Sequence, residues 1–240
     1  MKYKRYVLCG LVAILMLGIS SVAVQAQEAR WGVGAFADYS KPYLRLADRW
    51  SASGKFGGML QYAPSTATTI EIEYHYMKMD NGKPASLPFT YNTTGTEVEN
   101  VNGKSEITFN SIVVNALVFP GDENSQRGFK ANDFRFFVLV GGGIYRYKAV
   151  NEDLIYPKQT TDPIDMSMVM DSQIDQRYAY GMNLGAGVEA FVTPNLAIDL
   201  RARANMVIGE IRPVLYYDLE KIRPLSTLDV GAGIKFYFWR

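Results

Sequence analysis

The chain has 240 residues, 25 Lys+Arg against 24 Asp+Glu, 48% hydrophobic residues and 13% aromatics. A disordered chain would carry fewer aromatics and more charge, and a nucleic-acid-binding domain a clear basic excess, so both classes are excluded. The single cysteine, Cys9, forbids an internal disulfide framework. The length suits one all-β domain, and 21 Gly with 16 Tyr is a mixture common in β-rich proteins.

The chain opens with Lys2, Lys4 and Arg5, then an uncharged apolar run from Val7 to Ile19, then small residues ending in Val24-Gln25-Ala26. That order marks a secretory signal, and the apolar run is too short to span a bilayer. Cleavage is expected after Ala26. Residues 1–26 are therefore read as a signal peptide and 27–240 as one barrel domain. Lipid attachment at Cys9 does not fit, because Leu8 precedes it and the apolar run follows it.

Beyond residue 30 the hydrophobic period is 2. The first predicted strand, 31–40, carries Trp31, Val33, Ala35, Ala37 and Tyr39 on one face. The second, 54–63, carries Phe56, Gly58, Leu60 and Tyr62 and ends at the tight turn Pro64-Ser65-Thr66. In the third, 68–79, Ile70, Ile72, Tyr74 and Tyr76 alternate with Glu71, Glu73 and His75. The fourth, 104–118, changes phase: Ile107 and Phe109 lie in one register, Ile112, Val114, Ala116 and Val118 in the other. A β-bulge near Asn110–Ser111 is expected to reconcile them.

The fifth strand, 134–148, has the stripe Phe134, Phe136, Val138, Val140, Gly142, Ile144. The sixth, 174–191, and the seventh, 196–210, form a hairpin across Thr193-Pro194-Asn195, whose Pro and Asn are turn formers. The eighth, 225–239, places Leu228, Val230, Ala232, Ile234, Phe236 and Phe238 on one face. Connections after odd strands are longer as a class than those after even strands. Even strand number, alternation and loop asymmetry suit a closed antiparallel up-and-down barrel.

Alternation alone does not say which face points inward. Four features favour an apolar outside, as in a membrane barrel. The apolar stripes carry almost no charge over about ten residues, enough to cross a hydrocarbon core at barrel tilt. The opposite face is rich in glycine, with Gly32, Gly34, Gly57, Gly141, Gly143, Gly185, Gly187, Gly231 and Gly233, as a narrow interior requires. That face also carries balanced charge: Glu71, Glu73, Glu189, Asp199 and Asp229 with Lys55, Arg135, Arg201, Arg203 and Lys235. Buried charges must pair, and this set can. Aromatics gather at strand ends on the apolar face, among them Trp31, Tyr39, Tyr62, Tyr178, Phe236 and Phe238, as interfacial girdles require.

The export signal, the eight amphipathic strands, the closing strand Gly231-Ala-Gly-Ile-Lys-Phe-Tyr-Phe238 and the segment Gly185-Ala-Gly-Val-Glu-Ala-Phe-Val-Thr-Pro-Asn-Leu-Ala-Ile-Asp-Leu200 together resemble the small outer-membrane barrels of Gram-negative bacteria, of OmpA, OmpX and OmpW type. Trp239 followed by Arg240 departs slightly from the terminal aromatic usual there. The resemblance implies an all-β, eight-stranded transmembrane barrel in the outer membrane, with membrane lipid as its surroundings. It also implies a structural or surface-interaction role rather than an enzymatic one. The ten charged residues named above are expected to form a network that plugs the lumen, since eight strands enclose little more than side chains. Two alternatives stay open: a narrow passage for small apolar molecules, because Phe137, Leu139, Tyr145 and Phe191 share the inner face, and a soluble lipocalin-type barrel with the faces reversed.

Other chemistry is weakly signalled. Gly185-x-Gly187-x-x-Ala190 matches a dinucleotide fingerprint in letters only, because it lies inside a strand rather than ahead of a helix. His75 is the sole histidine, and the chain beyond the expected signal peptide has no cysteine, which leaves no metal-ligand partner of Cys or His type there. A hydrogen-bonded interior His fits it better than a catalytic one. No cofactor, no metal and no nucleic acid is expected, and the chain is expected to be a monomer. A surface partner is expected, if anywhere, at loops 80–103 and 149–173.

Overall fold

The computed structural model describes residues 30–80, 82–91, 93–121, 129–214, 217 and 219–239. The predicted signal segment 1–26 lies outside the described residues. Ten strands follow in order among the described residues: β1 (Arg30–Tyr43), β2 (Ser53–Ala63), β3 (Thr68–Met79), β4 (Phe89–Thr90), β5 (Glu97–Val98), β6 (Lys104–Val118), β7 (Phe134–Glu152), β8 (Gln173–Thr193), β9 (Leu196–Val207) and β10 (Leu225–Trp239). Eight of them close into one antiparallel barrel in the order β1-β10-β9-β8-β7-β6-β3-β2, and β4 and β5 form a separate ribbon in the connection between β3 and β6. Closure pairs the first strand with the last, as in Val33 opposite Phe236 and Ala37 opposite Ala232. A closed barrel leaves no edge strand and satisfies its backbone internally, which lipid requires. Among the described residues no helix is long and apolar enough to cross a membrane.

The apolar stripes face outward. Phe136 is 65% exposed, Leu184 62% and Ile112 60%. Glu71, Glu73, Glu189, Asp199 and Lys235 are 0% exposed. A girdle of exposed apolar side chains this continuous is far larger than water-soluble monomers show. This settles the face assignment and overturns the lipocalin-type alternative, which needs the apolar stripes inside.

The β-bulge expected near Asn110–Ser111 is absent. Residues Ile107–Val118 pair with β3 and Lys104–Val118 with β7 in unbroken register, as in His75 opposite Ser111 and Ser111 opposite Tyr145. The phase never changes: Ser105, Ile107, Phe109, Ser111, Val113, Asn115 and Leu117 all point inward and are buried. Ile107 and Phe109 broke the polar-inside pattern because the upper lumen is apolar. They pack with Met77, Met79, Tyr145, Tyr147, Val207 and Leu225 in one buried cluster. β7 and β8 also run further than expected, to Glu152 and from Gln173, so this hairpin stands above the others.

Two connections are tight, 64–67 and the two residues Pro194-Asn195, and connection 119–133 lies at the same end. The others lie at the opposite end and fold into a cap. A 3-10 turn at Leu44–Asp48 places Leu46 and then Trp50 onto the upper core. Phe89, Leu154, Ile155, Val214 and Tyr217, from three different connections, form a further buried cluster above it.

Candidate functional site: a sealed lumen

The lumen is built in layers. At the tight-turn end, Phe129, Phe191, Tyr237, Ala63 and Ala197 pack together. Arg30 lies over the Phe129 ring at 4.4 Å and donates to the Pro194 carbonyl at 2.8 Å. Arg135 lies over Phe119 at 3.7 Å and donates to the Thr66 carbonyl at 2.6 Å. Guanidinium groups over ring faces close this mouth while keeping their charges satisfied.

Above that lid sits the charged layer, and the structure brings all ten predicted residues together in it. Arg135 bonds Glu189 through Nε and Nη2, at 2.8 and 2.5 Å. Lys235 Nζ lies 2.7 Å from Glu71, 3.2 Å from Glu189 and 3.9 Å from Asp199. Arg201 reaches Asp199 at 2.5 Å, Glu73 at 2.8 Å and Glu71 at 3.2 Å. Arg203 reaches Glu73 at 2.6 Å and Asp229 at 3.7 Å, and Lys55 reaches Asp229 at 2.5 Å. The chain of contacts runs without a break from Arg135 near the lower mouth to Lys55 beneath the upper apolar core.

Strand geometry explains the assembly. Arg201 and Arg203 stand two apart on β9, so both point inward, and Glu71 and Glu73 stand two apart on β3 across the lumen. Two forks from one wall therefore meet two carboxylates from the other. Taking these charges out of water costs several kcal/mol per ion, offset only where every charge has partners. Room comes from the glycines. A Cβ at Gly187 would meet the Phe137 ring, and one at Gly143 would meet the β6 backbone at Ile112 and Val113.

Sequence reasoning missed several members. Asp38 accepts from Arg203 at 2.9 Å. Its place opposite the apolar stripe of β1 was the available signal. Tyr237 donates to Glu189 at 2.9 Å, Ser40 to Asp229 at 2.6 Å, and Asn205 to Asp229 at 2.7 Å. Uncharged residues at inward positions do not announce such roles. His75 is 1% exposed, bonds Glu73 at 2.5 Å through Nε2 and meets the Phe36 ring edge-on at 5.1 Å. With Asp38 the layer holds six carboxylates and five cations.

Between the ionic layer and the apolar core lies a cavity of about 20 Å³, lined by Lys55, His75, Tyr145 and Asn205 below and Met77 and Phe109 above. That is room for a water molecule, far below the several hundred Å³ of a small-molecule pocket. The cap then seals the upper end. Arg49 is 2% exposed and donates to the carbonyls of Arg212 at 3.1 Å and Glu220. It joins connection 44–52 to connection 208–224, and burial without an acidic partner lowers its pKa. Tyr217 donates to the Ile155 carbonyl at 2.6 Å, and burial pushes its phenol pKa up.

A closed eight-stranded barrel with an apolar exterior and an ion-paired interior is a small transmembrane β-barrel. No family model and no curated protein matches the sequence. Among solved structures the chain is similar to Neisserial surface protein A, with 13% identity and a TM-score of 0.48 over 88% of this chain and 100% of that one. It is also similar to a major outer membrane protein from Thermus thermophilus, with 10% identity and a TM-score of 0.49 over 88% and 100%. A third is the N-terminal β-barrel domain of Pseudomonas aeruginosa OprF, with 12% identity and a TM-score of 0.42 over the same shares. These likenesses are of fold.

Proposed function

We propose that the protein is a non-conducting barrel of a bacterial outer membrane, with a structural role in that membrane and a folded loop cap presented at its outer surface. The observation that carries this reading is the uninterrupted ionic layer, closed below by aromatic rings and arginines and above by an apolar core. No substrate-sized space interrupts these layers among the described residues. The upper core is packed rather than open, so its apolar lining does not support a passage for apolar molecules. His75 sits inside the sealed layer, bonded to Glu73, which supports a non-enzymatic reading. The long loops, 80–103 and 149–173 in the sequence reading, supply most of the cap and are the surface offered to any partner.

Planar-bilayer recording of the purified barrel tests this. The expected trace shows membrane insertion without stepwise current. Reproducible unitary conductance from a homogeneous folded sample would contradict the closed lumen.

A further inference from the structure

The outer wall is not uniformly charged. Among the described residues, five lysines and arginines point outward from the barrel strands: Lys41 on β1, Lys78 on β3, Lys104 on β6, and Arg146 and Lys148 on β7. Four of the five lie on three adjacent strands. Lys78 is held by Asp80 at 2.9 Å and Glu106 at 2.7 Å, and Lys104 by Asp153 at 3.2 Å. Arg146 and Lys148 form no ion pair among the described residues, and both are exposed.

Their height on the wall is informative. The outward stripe of β7 is apolar from Phe134 to Ile144, and Arg146 is the next outward position. Eleven residues of tilted strand rise about 25 Å, the height of the apolar band of such barrels. Arg146 therefore stands at the headgroup level on the cap side, with Lys148 one outward position further, about 7 Å along the tilted strand. The register sets Asn110 on one side of Arg146 and Tyr178 on the other. Tyr178 is 71% exposed, and Asn110 accepts a hydrogen bond from Tyr74 at 2.9 Å. On β9 and β10 the outward positions toward the same end are Met206 and Leu228, with no cation.

We propose that the outward face of β6, β7 and β8 binds a phosphate group of an outer-leaflet lipid, held by Arg146 and Lys148, with Asn110 and Tyr178 at its edges. The inference rests on the transmembrane reading above. A guanidinium offers a planar fork to two phosphate oxygens, a lysine adds a second point charge, and a tyrosine at headgroup depth buries its ring in lipid with its hydroxyl toward water. Neither cation loses an internal partner when the phosphate arrives.

The test uses the folded barrel in phosphatidylcholine nanodiscs, titrated with bisphosphorylated lipid A and with its dephosphorylated form, bound lipid being counted by native mass spectrometry. The phosphorylated form is expected to be retained and the dephosphorylated form lost. The double variant Arg146→Gln/Lys148→Gln should weaken retention about 25-fold, two charges each contributing about a fivefold effect. Lys41→Gln should leave it unchanged, and millimolar inorganic phosphate should not displace the lipid. Equal retention of both lipid forms, an equal loss in Lys41→Gln, or displacement by inorganic phosphate would overturn the site. Unboiled gel mobility separates the two levels. A variant that still migrates as a folded barrel but binds lipid as the parent does removes only the phosphate site. A parent protein without the fast-migrating form removes the transmembrane reading itself.

Discussion

The lower and upper halves of the lumen solve the same packing problem by opposite means. Below, charged side chains from β3, β9 and β10 interlock around Arg201 and Lys235. Above, Met79, Ile107, Phe109 and Tyr147 fill the barrel as the core of a soluble protein would. Ion pairs have direction: shifting a strand by one residue would carry Arg201 and Arg203 to the lipid face, where neither has a partner. The apolar layer has no such direction. It supplies close packing and excludes water from the layer beneath. The difference teaches that the charged half specifies register and the apolar half seals.

Unequal costs of damage would sharpen that contrast. Arg201→Met keeps volume but leaves Glu71, Glu73 and Asp199 with one cation fewer. It should cost about 4 kcal/mol, read as a lower urea midpoint for unfolding in lipid vesicles. Unchanged stability there and in Arg203→Met would remove the network from the account. Met79→Ala, in the upper core at 0% exposure, should cost about 3 kcal/mol in the same assay, as transfer and cavity terms predict, without creating conductance. Gly143→Val forces a side chain against the β6 backbone and should cost about 2 kcal/mol. Arg49→Ala should leave the barrel intact while exposing connection 208–224 to protease, because its bonds to the carbonyls of Arg212 and Glu220 join two connections of the cap. Arg45→Ala should leave stability within error, since the Arg45–Glu220 pair at 3.9 Å lies in solvent.

Most of the barrel was legible in the chain because strand alternation is a strict two-residue code. The stripe Phe134 to Ile144 and the facing charges of β9 needed no tertiary information. Legibility failed where the lumen changed character. Ile107 and Phe109 looked out of phase only because polarity was equated with the inside, and that equation holds for the ionic layer alone, not for the apolar layers above and below it. Asp38, Tyr237 and Asn205 escaped because their roles depend on which strands face one another across the barrel, a property of closure and register. The cap was the least legible part. Its cluster of Phe89, Leu154, Val214 and Tyr217 joins connections far apart in sequence and follows no period.

The central claim is that apolar stripes face lipid and charges face a sealed interior. Gel mobility of the protein extracted from an isolated outer-membrane fraction, with and without boiling in SDS, tests it most directly. Faster migration of the unboiled sample is the predicted result, because a closed barrel stays folded in SDS until heated. Recovery in the soluble periplasm, with identical mobility before and after boiling, would contradict the assignment of both faces.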